Sequence, residues 1–147
     1  MTMRHIDAGL NATRGLLLAS GLLAAGVAAT TLIAPRAFHA FYGIEIGTEV
    51  NLSNELKAPA GVLLVTGLLA LAAVFRIGLA NLALGTGAGV FLSYGISRLF
   101  SMATDGAPDS ALVLAAVIEL ATGAACLIRL GQIRRAATSS TVHHQER

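Results

Sequence analysis

Residues 111–128 read ALVLAAVIELATGAACLI, an apolar stretch that a single carboxylic acid, Glu119, interrupts. Three similar stretches precede it, at residues 15–34, 58–75 and 80–100. Each is about as long as a helix must be to cross the ~30 Å hydrocarbon core of a bilayer. The sequence therefore predicts an all-α, membrane-embedded, antiparallel bundle of four transmembrane helices.

The composition favours the same class of protein. The 147 residues are 55% hydrophobic and 12% charged, whereas a soluble domain carries about 25% charged residues. The isoelectric point near 9.2 comes mainly from arginines that flank the apolar stretches, where positive charge sets membrane topology. The sequence thus predicts the lipid bilayer as the surroundings of the protein and predicts no nucleic-acid partner.

One membrane domain is predicted at residues 15–130. Residues 1–14 are expected to form a short cytoplasmic tail, and residues 131–147 a disordered cytoplasmic tail. The polar connections between the apolar stretches are too short to fold separately. The chain therefore holds a single domain.

The segment RAFHAFYG, residues 36–43, predicts a short interfacial helix between spans one and two. Phe38, Phe41 and Tyr42 fall on one side of such a helix, and aromatic rings favour the headgroup level of a bilayer. An ordinary loop whose aromatic rings cover the end of the bundle is the alternative.

Two features concern how the helices pack. Gly85 and Gly89 have the GxxxG spacing that allows tight helix contact, so a close approach is expected there. Pro59 is tolerated if its helix begins near Lys57, and it lies inside the helix if the helix begins near Asn51.

The arginines are distributed unequally between the two ends of a four-span layout. One end has six, and the other has three cations together with most of the acids. The six are Arg4, Arg14, Arg76, Arg129, Arg134 and Arg135. The positive-inside rule then predicts that both termini are cytoplasmic. In a bacterium the membrane would be the cytoplasmic (inner) one, because proteins that span the outer membrane are typically β-barrels and not helical bundles.

Glu119 is the main candidate for chemistry, because an isolated charge at the centre of a span costs at least ~2.5–3.5 kcal/mol. It must be protonated, paired or hydrated. Arg98, near the outer end of span three, and Tyr94 one turn before it are candidates for a shared polar cluster. Glu55 and Lys57, at the start of span two, lie toward the same side of the membrane. The cluster is interpreted either as a polar contact that orients the helices or as the lining of an outward-facing pocket.

No complete catalytic, metal or nucleotide motif is present, so the sequence favours a protein that is not an enzyme and predicts no cofactor. The single cysteine, Cys126, cannot form an intrachain disulfide and is expected to serve packing. The histidines give no metal-ligand spacing: His5 and His39 are isolated, and His143 and His144 fall in the tail.

A set of short motifs recurs in a fixed order along the chain of a known family. The motifs present here are Ala34-Pro-Arg-Ala-Phe38, Phe41-Tyr-Gly-Ile44, Asn54-Glu-Leu-Lys-Ala58, Gly61, Arg98, Asp105-Gly106 and Glu119. Through them the sequence resembles the small bacterial four-helix membrane proteins of domain-of-unknown-function family 4345. The resemblance implies a four-span bundle without an established activity. It also implies a family pattern that has arginine where this chain has Lys57, which lacks the planar two-pronged contact of arginine with a carboxylate.

Two functions are expected from these observations. The first is binding of a small or lipid-like ligand, or of a partner, through an outward-facing polar pocket. The second is a structural or accessory role, in which the bundle packs against another membrane protein or a second copy of itself. A membrane-embedded enzyme or a small transporter fits the sequence less well, because neither a reactive group beside a base nor a convincing internal repeat is found.

Overall fold

The computed structural model describes the backbone of residues 3–145 and the side chains of residues 7–137. The helices are α1 (Met3–Ile33), α2 (Pro35–Ala40), α3 (Val50–Phe75), α4 (Ala80–Asp105) and α5 (Ser110–Gln145), with a 3-10 turn at Ile77–Leu79. Four segments of 26–29 residues, in α1, in α3, in the 3-10 turn together with α4, and in α5, are long and apolar enough to cross a membrane. The protein is thus an all-α, multi-pass membrane protein, as the sequence predicted.

The first and last helices extend beyond the predicted spans. Helix α1 includes residues 7–14, which were expected to be a tail, and Thr13 is buried within the bundle. Helix α5 continues through residues 131–137, so the prediction of a disordered tail is wrong for that segment. No proline interrupts it, and Arg129 Nη1 donates a 2.8 Å hydrogen bond to Gln132 Oε1 along the helix. Predictions for residues 1–2 and 146–147 lie outside the described residues.

Helix α3 begins at Val50, so Pro59 lies in its interior. Proline has no N–H, and the carbonyl group of Glu55 therefore lacks its usual partner four residues later. Of the two alternatives for Pro59, the structure has the one in which the helix begins near Asn51.

The helices form two close pairs, α1 with α3 and α4 with α5, while α3 and α4 pack together less extensively. In the first pair, a Cβ atom on Gly67 would lie 2.6 Å from the backbone nitrogen of Ala25. In the second pair, an added Cβ on Gly95 would lie 2.6 Å from the nearest carbon of Leu120, and one on Gly123 would lie 2.7 Å from the nearest carbon of Leu92. Glycine is required where backbones approach this closely, because no side chain fits.

The prediction of a tight contact at Gly85 and Gly89 is wrong. An added Cβ on Gly89 would meet nothing within 4 Å, and one on Gly85 would lie 3.8 Å from Leu130. The buried face of α4 instead carries Leu84, Gly87 and Phe91. The GxxxG spacing shows that two small residues share one face of the helix. It does not show whether that face meets a neighbouring helix.

The bundle is packed more completely at one end than at the other. At the end that holds the chain termini, Leu17, Leu84 and Cys126 belong to one buried cluster, in which the thiol serves packing. At the same end Arg129 Nε donates a 2.8 Å hydrogen bond to Thr13 Oγ1, and Arg129 Nη2 also donates to the Gly9 carbonyl oxygen. The described start of α1 and the described end of α5 therefore lie at the same end of the bundle.

Substitution of glycine by alanine is expected to change stability in opposite directions at two positions. Gly67→Ala should lower the melting temperature in detergent, because its Cβ meets backbone atoms that cannot move aside, at a cost of about 1–3 kcal/mol. Gly89→Ala, the matched control on an open helix face, should raise stability by ~0.5–1 kcal/mol through reduced chain entropy. Equal shifts for the two variants would contradict the pairing of α1 with α3 through Gly67.

Candidate functional site

An ion pair joins α4 to α5 within the membrane-spanning region. Arg98 Nε donates a 2.9 Å hydrogen bond to Glu119 Oε2, and the two side chains are 38% and 15% exposed. Gly95 precedes Arg98 by three residues and Gly123 follows Glu119 by four, so the glycine contacts lie about one turn from the pair. The close approach of the two helices therefore sets the register in which these charged groups meet. Of the three states open to Glu119, the structure has the paired one.

Tyr94 connects the pair to α3. Its hydroxyl group donates a 3.2 Å hydrogen bond to the carbonyl oxygen of Pro59. A carbonyl oxygen has two lone pairs, so it can accept this bond in addition to a helical one. Tyr94 and Arg98 lie one turn apart on α4, and together they carry polar contacts from α3 across to α5.

A cavity of about 420 Å³ lies beside this pair, in the half of the bundle away from the chain termini. All five helices contribute to its wall, which is largely apolar. The apolar lining includes Leu23, Val27, Leu63, Phe91, Leu112, Ala115 and Ile118. Its polar side chains are those of Thr31, His39, Tyr42, Tyr94, Arg98 and Glu119. The volume falls within the ~300–1,000 Å³ of small-molecule sites, and an apolar wall with a few convergent polar groups is typical of them.

Helix α2 and the residues after it cover one side of the cavity. Phe38, Phe41 and Tyr42 all line it, and the rings of Phe38 and Tyr42 meet edge to face at 5.3 Å between centroids. His39 lines it too, and its Nδ1 lies 2.8 Å from the carbonyl oxygen of Pro35. Gly43 then turns the chain with φ +71°, a value that favours glycine. The predicted short helix is present at Pro35–Ala40. Phe38 within it, and Phe41 and Tyr42 directly after it, cover the cavity.

Two of the predicted cluster residues lie elsewhere. Glu55 is exposed and does not line the cavity. Lys57 borders a second depression, with Arg36 and Ser53, near the junction of α1 and α2. The structure therefore brings together Tyr94, Arg98 and Glu119, and it leaves Glu55 and Lys57 outside that group.

Sequence reasoning missed several contributors to the site. His39 looked isolated because the charged residues that line the cavity with it, Arg98 and Glu119, come from other helices. The carbonyl oxygen of Pro59 gave no signal, since every residue carries one. Phe91 and Leu63 are ordinary apolar residues of a span, and only the arrangement of helices shows that they face the cavity.

Among the side chains described, residues 7–137, no three of the His, Cys, Asp and Glu residues come together as a group that could hold a metal ion. The hydrogen-bonding groups of the cavity thus belong to one ion pair, two tyrosines, a threonine and a histidine. Each of these groups can donate or accept hydrogen bonds.

The chain matches the family described as Domain of unknown function (DUF4345) over residues 12–130. It belongs to this family. The matched segment contains every residue that lines the cavity, and it confirms the resemblance that the sequence motifs indicated. No curated protein and no solved structure matches the chain. The description of DUF4345 assigns no activity, so the site itself is the basis for a functional proposal.

A double-mutant cycle tests the ion pair. Glu119→Gln should destabilise the protein, because it leaves Arg98 without its compensating charge, and the double change with Arg98→Gln should recover much of the loss. The coupling free energy from thermal unfolding in detergent should exceed ~0.5 kcal/mol.

Lys57→Gln provides the control for this cycle, since Lys57 lies outside the cavity. Combined with Glu119→Gln, it should give additive effects on stability. Additive effects in the Arg98 cycle as well would show that the pair does not hold α4 and α5 together.

Proposed function

We propose that this membrane protein binds a small or lipid-like amphipathic ligand in the cavity between its helices. The observation that carries the proposal is the position of the Arg98–Glu119 pair in the wall of an otherwise apolar cavity. An ion pair that served packing alone would be expected to be enclosed by side chains. Here the pair borders a space of about 420 Å³.

The composition of the wall supports an amphipathic ligand. Burying apolar surface contributes roughly 25 cal/mol per Å², so the leucine and phenylalanine side chains of the wall favour a hydrocarbon body. Arg98 is 38% exposed and keeps both terminal amino groups without a hydrogen-bond partner among the described residues. A polar head with an acceptor atom would complete these hydrogen bonds.

Native mass spectrometry of the protein extracted with its lipids tests binding. Wild-type protein should retain an adduct of constant mass, and Ala115→Phe should remove it, because the ring occupies the cavity. Ala121→Phe is the matched control on an exposed position of the same helix that does not line the cavity, and it should keep the adduct. An adduct that survives Ala115→Phe, or wild-type protein that retains only a second protein chain, would contradict the proposal and favour an accessory role.

We also propose that both termini face the cytoplasm and that the membrane is the inner membrane of a bacterium. The arginines at the end with the termini support this orientation, together with the acids Glu45, Glu49, Asp105 and Asp109 at the other end. The cavity then opens in the outer half of the bilayer.

Single cysteines introduced into a Cys126→Ala protein test the orientation in intact cells. A membrane-impermeant thiol reagent should label Glu49→Cys and Asp105→Cys without cell lysis, and Arg76→Cys only after it. Labelling of Arg76→Cys in intact cells would reverse the proposed orientation.

A further inference from the structure

The ion pair neutralises the charge of the cavity before any ligand enters. Arg98 and Glu119 are the charged side chains of the arginine, lysine, aspartate and glutamate types in its lining, and they lie 2.9 Å apart. A charged ligand head would therefore leave one net charge in a low-dielectric space. Such an uncompensated charge is strongly unfavourable inside a membrane.

The hydrogen-bonding groups left over are both donors and acceptors. On the donor side are the two terminal amino groups of Arg98, which make no bond to the described residues. On the acceptor side is Glu119 Oε1, since Arg98 Nε binds the other carboxylate oxygen.

His39 adds a second acceptor. The Pro35 carbonyl oxygen can only accept, so Nδ1 of His39 carries the proton in their 2.8 Å contact. In the neutral ring, Nε2 is then an acceptor. A head that offers both an acceptor oxygen and a hydroxyl donor would match this set.

We infer that the ligand is an uncharged amphiphile, a hydrocarbon chain whose head carries hydroxyl and carbonyl or ether oxygens. The inference rests on the proposed binding function and specifies its ligand class. The carbonyl or ether oxygen accepts from the guanidinium group of Arg98, and the hydroxyl donates to Glu119 Oε1 or His39 Nε2. The hydrocarbon chain of the ligand lies along the leucine and phenylalanine side chains of the cavity wall.

Three probes with the same lauryl chain separate head charge from chain burial. They are monolauroylglycerol, which is uncharged, dodecyl phosphate, which is anionic, and dodecylamine, which is cationic. Each is added to delipidated full-length protein in nanodiscs near pH 8. Native mass spectrometry then gives the fraction of protein in the one-to-one adduct.

Wild-type protein should bind monolauroylglycerol at least about tenfold more tightly than either charged probe. Ala115→Phe should abolish this binding, which locates it in the cavity. Glu119→Gln should reverse the preference toward dodecyl phosphate, because it leaves Arg98 as an uncompensated cation. Glu55→Gln removes an equal charge from an exposed position outside the cavity, and it should leave the preference unchanged.

The wild-type comparison decides the inference even if Glu119→Gln does not fold. Tighter binding of dodecyl phosphate or dodecylamine, abolished by Ala115→Phe, would overturn the uncharged head and keep the binding cavity. Binding of none of the probes, together with no retained adduct in freshly extracted protein, would overturn the binding function itself.

Discussion

An unpaired carboxylate is unfavourable in the hydrocarbon core of a bilayer, and this constraint organises the half of the bundle away from the chain termini. Arg98 meets it from the neighbouring helix, with 2.9 Å between Nε and Glu119 Oε2. The contact requires α4 and α5 to lie close together in one register, and Gly95 and Gly123 allow that approach about one turn away on each helix. The same pair then supplies the polar edge of the cavity. The Arg98–Glu119 ion pair therefore both joins α4 to α5 and forms part of the candidate site.

In both close helix pairs, a glycine allows one helix to approach the other. Gly67 in α3 and Gly123 in α5 each follow a threonine, and each brings the helix against the preceding span. The pairs pack together tightly near the termini, through Leu17, Leu84 and Cys126. Toward the other end they enclose the cavity, and α2 covers it. The bundle is thus packed at the end near the termini and contains a cavity toward the other end.

The sequence predicted those features that depend on local composition. Four apolar stretches predicted four membrane-crossing helices. The cost of a lone charge predicted that Glu119 is protonated, paired or hydrated, without deciding among these states. Which face of each helix meets a neighbouring helix was not predictable, because that face is determined by residues distant in sequence. For that reason the GxxxG spacing at Gly85 and Gly89 was misleading, and Glu55 and Lys57, which share an end of the bundle with Arg98, lie outside the cavity. The covering of the cavity by His39 and by the rings of Phe38, Phe41 and Tyr42 depends on the path of the chain after Pro35.

A crystal structure of the protein extracted with its native lipids tests the central claim most directly, because it locates the ion pair and the contents of the cavity together. The account predicts elongated density along Leu63 and Phe91 whose head lies within hydrogen-bond distance of the Arg98 guanidinium group, with Glu119 still bound to Nε. An Arg98 side chain turned toward the membrane surface, with Phe41 and Tyr42 filling the cavity, would contradict it.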